Sequence, residues 1–151
     1  MPTDLVLYPD ERLLEVCEPV TEFDSDLLKL VDEMILVMLR EQGVGLAAPQ
    51  IGVGKRIFVY RGLTGQAEVA INPELIGHSY KSVAGIEGCL SIPDRQFAVQ
   101  RPYSVQLSAV DECNQVKIIY GSSIRARILM HELDHLRGTL LFVRGDEING
   151  S

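Results

Sequence analysis

The sequence predicts an α+β fold in which short antiparallel strands pack around a central helix, with another helix nearer the N-terminus. Three observations predict it: two segments with helical periodicity, several short strand-like runs, and no strand–helix alternation of the kind that builds parallel sheets. The 151 residues contain no repeat and no shift in composition. We therefore expect residues 1–151 to form a single domain.

The N-terminal helix is predicted to begin after Asp24 or Ser25, both of which are good N-caps. It should end before Gly43, where a glycine can adopt the left-handed cap conformation. Between these limits apolar residues recur at spacings of three and four, which predicts one buried face. That face comprises Leu27, Leu28, Val31, Met34, Ile35 and Met38.

Strand-like runs follow at residues 56–60, 69–71, 104–110 and 116–120. The polar segment 111–115 between the last two has the length of a hairpin connection. We therefore expect the last two runs to pair antiparallel.

The central helix is predicted to begin at Ser122 or Ser123 and to end at Leu136. Serine is a frequent N-cap, and Gly138 stands just past the last apolar residue, where glycine often ends a helix. This helix carries the motif HELDH, which fits the HExxH pattern of metal-dependent hydrolases.

Two histidines of this motif, His131 and His135, are four residues apart and so share one helix face. Two imidazoles so placed can bind one metal ion, and Glu132 beside them can act on a water molecule there. Ile124 and Ile128 precede the histidines on the same face. We therefore expect an apolar wall directly beside a metal site.

A hydrolytic metal site has three protein ligands and one open position for water. Spacing leaves the third ligand open among His78, the many acidic residues and Cys89. Cys89 stands out because the preceding glycine lets the backbone approach a metal closely. For Cys17 and Cys113 we expect the more common condition of a free cysteine, an inert buried thiol.

The composition argues against nucleic-acid binding and against a membrane span. The chain has 14 Lys and Arg against 21 Asp and Glu, a net charge of −7 with no basic cluster, which argues against nucleic-acid binding. The apolar stretches are too short for a membrane span. Three cysteines make no disulfide framework, and the N-terminus has no targeting pattern. We expect a cytoplasmic protein, or an organellar one if a transit peptide has been removed.

Three motifs together resemble the signatures of peptide deformylases: GVGLAAPQ (43–50), EGCLS (87–91) and HELDH (131–135). The stretch 8–13 also resembles the start of that family. The resemblance implies a metallohydrolase that removes the N-formyl group from the N-terminal formylmethionine of newly made polypeptides and releases formate. Its partners would be these nascent chains, at the ribosome exit, and we expect a monomer.

The resemblance also implies a role for each matching residue. Glu132 would be the general base and acid, and the Gln50 side chain and the Leu90 N–H would stabilise the oxyanion. Ferrous iron would be the native metal, which zinc, nickel or cobalt could replace. The metal ligands would be Cys89, His131 and His135. The substrate cleft would be formed by Val44, Gly45, Ile86, Glu87 and Ile128.

Some positions depart from the family pattern or stay open. Met130 stands where the family usually has glutamine, and the pair Asp94-Arg95 stands where a glycine is common. Asp134 is either a solvated acid or the buried partner of Arg101.

Three other functions also remain open. HExxH alone permits a general metallopeptidase. Cys89 could instead be a nucleophile with His131 as its base. The chain could also be an inactive family member that only binds nascent chains or ribosomes.

Overall fold

Two antiparallel sheets and three α-helices make up the computed structural model, which describes residues 3–148. The helices are α1 (Ser25–Arg40), α2 (Ile124–Leu136) and the short α3 (Leu141–Arg144). The strands are β1 (Gly45–Ala47), β2 (Ile57–Arg61), β3 (Ala67–His78), β4 (Ser82–Cys89), β5 (Ile92–Pro102), β6 (Ser104–Val110), β7 (Val116–Ser122) and β8 (Gly145–Ile148). The predicted α+β class is confirmed.

The larger sheet has the order β1-β2-β3-β6-β7, and the smaller has the order β4-β5-β8. The predicted hairpin is confirmed, because β6 and β7 pair antiparallel with Val110 opposite Val116. The run predicted at 69–71 belongs to a longer strand, since β3 continues to His78 through two irregularities in its pairing with β6. The smaller sheet was not predicted, although it carries one side of the site described below.

Helix α1 begins as predicted, because the Asp24 side chain accepts a hydrogen bond from the Leu27 N–H at 3.0 Å. The prediction for its other end is wrong in one respect. The residue in the left-handed conformation is Gln42 (φ +57°), and the N–H of Gly43 donates to the Met38 carbonyl at 2.9 Å. This is a Schellman ending with glutamine in the position that glycine usually takes. Five α1 residues are buried, and the predicted Leu28 is not one of them.

Helix α2 packs on the larger sheet and buries Leu129, Leu133 and Leu136 completely. Gly138 follows it at φ +70°, as predicted for a glycine that ends a helix. At the other end Ser123 has φ +57° and ψ −125°, and its side chain makes no capping hydrogen bond. The predicted start is therefore confirmed, since Ser123 occupies the N-cap position, but this serine does not cap the helix with its side chain.

The cysteines outside the motif differ from each other. Cys17 is buried as expected, whereas Cys113 is exposed in the turn between β6 and β7, so the expectation of burial is wrong there. Among the described residues, no helix combines the length and the hydropathy that crossing a membrane requires.

Candidate active site

Three side chains that could hold a metal ion meet where α2 approaches the end of β4. The His131 and His135 rings lie 5.1 Å apart between centroids, and the Cys89 sulfur is 3.3 Å from His135 Nε2. One donor atom from each residue lies within 4.8 Å of the other two. Two imidazoles and a thiolate suit iron or zinc, so the predicted ligand set fits a divalent metal. His78 is elsewhere, exposed at the end of β3.

The pKa values of the two histidines differ because their neighbours differ. Burial, reinforced by the charge of His131, holds the pKa of His135 well below its ordinary value. Burial would also lower the pKa of His131, but its hydrogen bonds to Cys89 and Glu87 raise it. A neutral imidazole is the form that binds a metal, and the lowered pKa of His135 favours that form.

Glu132 is buried beside these ligands, and its Oε1 has no hydrogen-bond partner among the described residues. Burial raises the pKa of this carboxyl group to about 7. Strand β1 approaches it closely, because a Cβ added to Gly45 would lie 2.6 Å from Glu132 Oε2. The site therefore holds a carboxylate that is well suited to exchange a proton near neutral pH.

Gln50 is fixed in orientation by its neighbours. Its Oε1 accepts the Ala47 N–H at 2.9 Å, while its Nε2 donates to Ser91 Oγ at 3.1 Å and lies 3.8 Å from the Cys89 sulfur. The amide nitrogen thus lies beside Cys89, one of the three candidate metal ligands. Leu90 lies between Cys89 and Ser91, in the turn that joins β4 to β5, and lines the same cavity.

The Glu87 carboxylate contacts His131 and accepts four hydrogen bonds. Arg101 donates two at 2.9 Å, Arg127 one at 2.8 Å, and His131 Nδ1 lies 3.0 Å from Glu87 Oε1. Burial would raise the pKa of Glu87, but the bonds from Arg101 and His131 lower it to about 2. With Nδ1 so engaged, the other ring nitrogen of His131 is the one free for a metal. The Glu87 side chain, predicted to line the substrate cleft, is directed to these cations.

Asp134 is buried, so it is the partner of Arg101 and not a solvated acid. Arg101 Nη1 donates to it at 2.6 Å, and Arg144 of α3 donates twice, at 3.0 and 3.1 Å. Sequence reasoning did not find Arg144 or Arg127. The one available signal for Arg127 was its position four residues before His131, on the same helix face.

A cavity of about 870 Å³ opens in front of the three candidate metal ligands, and its volume is within the usual range for ligand sites. Ile128 is half-buried, whereas Ile124 is 72% exposed and therefore lies at the mouth of the cavity. All the residues predicted to contact substrate line this space: Val44, Gly45, Ile86, Glu87, Ile124 and Ile128.

The two departures from the family pattern have different settings. Met130 is buried in the hydrophobic core under α2, where an apolar side chain packs without needing a hydrogen-bond partner. Asp94 lines the cavity and has φ +64°, a left-handed conformation that glycine adopts at lower cost.

Comparison with known proteins gives consistent results. The family model described as polypeptide deformylase matches residues 2–149. Peptide deformylase 1 of Clostridium acetobutylicum is 42% identical over 144 residues, which cover 95% of each chain. The chloroplastic peptide deformylase 1B of Solanum lycopersicum is 38% identical over 94% of this chain and 52% of its own. The crystal structure of a Legionella pneumophila peptide deformylase superimposes with a TM-score of 0.90 at 35% identity, covering 95% of this chain and 86% of that one.

Proposed function

Because this chain belongs to the polypeptide deformylase family, we propose how its own residues remove the N-formyl group from newly made polypeptides. The substrate end is N-formylmethionine, and the products are formate and a free amine. One observation carries the assignment: the buried Glu132 carboxylate, with an unpartnered oxygen, lies beside two histidines and a cysteine in an open cavity. We also propose that residues 1–151 act as one catalytic domain.

The metal ligands are assigned to Cys89, His131 and His135, with ferrous iron as the native ion. A divalent ion held by these residues would polarise the formyl carbonyl and would lower the pKa of a water molecule from about 15.7 toward about 7. Glu87 keeps His131 in the orientation that ligation needs, through the hydrogen bond to Nδ1.

Glu132 moves the proton in this reaction. Its carboxylate accepts a proton from the attacking water and then delivers it to the departing amine. Burial raises the pKa of this carboxyl group and so makes the carboxylate a better proton acceptor than an exposed one. Its unpartnered Oε1 is free to hold the water in place.

Gln50 and Leu90 stabilise the negative charge that develops on the formyl oxygen. The Gln50 amide is already oriented toward the ligands by Ala47 and Ser91, so it need not reorganise during the reaction. The Leu90 N–H supplies the second donor, from the turn directly after Cys89.

The substrate main chain lies extended along β4, whose outer side pairs with no other strand of the described residues. An edge strand can bind an extended peptide through backbone hydrogen bonds, which do not depend on the later side chains. The first side chain packs against Ile128 and Ile124. Burying a flexible methionine there contributes about 1.5–3 kcal/mol to binding.

The wider setting is proposed on the same basis. The enzyme acts as a monomer on nascent chains near the ribosome exit, in the cytoplasm. The tomato relative is named chloroplastic, which supports an organelle as the other location.

Formate release from formyl-Met-Ala-Ser tests the proposal. The iron-loaded enzyme should release formate, and the metal-free enzyme should not. Glu132→Gln should keep its metal but lose about 10²–10⁴-fold in kcat, because an amide cannot accept the proton. Glu112→Gln, in the turn after β6, is the matched control and should be fully active.

Two further measurements separate the alternatives. With cobalt in the site, a thiolate-to-metal absorption band should appear and should vanish in Cys89→Ala. A band that survives this substitution contradicts Cys89 as a ligand, and a covalent adduct at Cys89 would support the nucleophile alternative. Cleavage of an unblocked peptide would instead indicate a general metallopeptidase.

A further inference from the structure

Arg127 connects the catalytic helix to the strand that borders the cavity. It lies on α2 one turn before His131, and its side chain is 15% exposed. Its Nη2 donates to the Val83 carbonyl of β4 at 2.8 Å. Its Nη1 donates to Glu87 Oε2 of the same strand at 2.8 Å and to the Val99 carbonyl of β5 at 2.9 Å. One guanidinium therefore bonds to β4 at two positions four residues apart.

The guanidinium of Arg127 lies directly against the β4 backbone between those two positions. A Cβ added to Gly85 would be 2.7 Å from Arg127 Cζ, so that a side chain at this position would displace the guanidinium. The close approach thus depends on a glycine at this point of the strand.

The side chains of Arg127 and Arg101 have different hydrogen-bond partners. Arg101 donates two hydrogen bonds to Glu87 and one to Asp134, so it holds the carboxylate that supports His131. Of these two side chains, only that of Arg127 also bonds to the backbone of β4. If Arg127 is replaced, Arg101 should still hold the Glu87 carboxylate, whereas β4 should become more mobile.

We propose that Arg127 is a positioning residue that holds β4 against α2, and so fixes the distance between the substrate-binding edge of β4 and the metal ligands. The inference rests on the proposed function, in which the substrate main chain pairs with β4. A longer substrate makes more backbone contacts with that edge. The increase in kcat/KM from a short to a longer substrate should therefore depend on Arg127.

The test compares Arg127→Met with the matched control Arg125→Met. Arg125 is also on α2, but it donates to the carbonyls of Tyr120 and Arg61 in the larger sheet. The measurement is kcat/KM for formyl-methionine amide and for formyl-Met-Ala-Ser. In Arg127→Met the advantage of the tripeptide should fall about tenfold, as expected when charge-assisted hydrogen bonds are lost. The Arg125 variant should keep the wild-type ratio.

Hydrogen exchange and metal analysis give readouts that do not depend on turnover. The amides of residues 83–88 should exchange faster in Arg127→Met, and those of α2 should not. Metal content should be unchanged, because Arg101 still holds Glu87. If the methionine variant does not fold, Arg127→Lys takes its place and should show the same changes to a smaller extent.

Equal loss of kcat/KM for both substrates would overturn the inference, because Arg127 would then be merely structural. Unchanged exchange at residues 83–88 would overturn it as well. A wild-type enzyme that releases no formate contradicts the proposed function instead, and the exchange measurement still decides whether Arg127 holds the strand.

Discussion

Replacing Ser123 by glycine should stabilise the protein. Ser123 has φ +57° and ψ −125°, a conformation that is strained for any residue with a side chain. Such strain costs about 1–3 kcal/mol, and a glycine would lose about 0.5–1 kcal/mol through its more flexible unfolded chain. The Ser123 side chain makes no capping hydrogen bond that would be lost. A net gain of about 1 kcal/mol corresponds to a rise in Tm of about 2–4 °C for a chain of this length.

Thermal unfolding of Ser123→Gly, Ser123→Ala and the parent protein measures this gain. The backbone bonds of residue 123, from its N–H to the Tyr103 carbonyl and from the Arg127 N–H to its own carbonyl, remain in both variants. Alanine keeps the Cβ and therefore the strain, so its Tm should stay close to that of the parent. Equal Tm values for the glycine and alanine variants would refute the assignment of strain, and so would a lower Tm for the glycine variant.

Three further outcomes are expected. Gln50→Ala should lower kcat about 10²–10³-fold with no loss of bound metal, and metal loss would contradict its role as an oxyanion donor. Gly45→Ala would place a methyl group 2.6 Å from Glu132 Oε2, so the displaced carboxylate should lower kcat by up to about 10²-fold; an unchanged kcat would show that Glu132 adapts freely. A thiol reagent should label the exposed Cys113 in the native protein. Cys17 should react only after unfolding, because burial raises its pKa to about 11. Peptide mapping by mass spectrometry distinguishes the two cysteines.

The helices and the β6–β7 hairpin were predictable because their signals are local. Periodic apolar residues marked α1, and the HELDH motif with its preceding isoleucines marked α2 together with the cavity wall. Asp24 signalled the start of α1 and makes the expected capping bond. Local rules failed at Ser123 and Gln42, where the surrounding structure holds an ordinary residue in a conformation typical of glycine.

The smaller sheet was not predictable for a physical reason. Strand β4 is an edge strand with mostly exposed side chains and two glycines, so it lacks the alternating pattern of a half-buried strand. In β5, Phe97 and Val99 are buried, as apolar residues of a half-buried strand should be, but the next buried position is Arg101. Its partners Glu87 and Asp134 are 14 and 33 residues away in the chain. Residue spacing alone cannot reveal such a pairing, and only the resemblance to a family suggested the link to Asp134.

The buried charge cluster also constrains how this sequence can evolve. Arg101 is 3% exposed and is bonded to both Glu87 and Asp134. Replacing Arg101 removes the buried cation that both carboxylates share, and breaking a buried ion pair costs about 3–5 kcal/mol, whereas a whole domain is stable by only about 5–15 kcal/mol. Single substitutions here are therefore selected against even before activity is considered. The three positions form an epistatic unit that a lineage inherits together or replaces together, while exposed positions such as Val116 are free to drift one at a time.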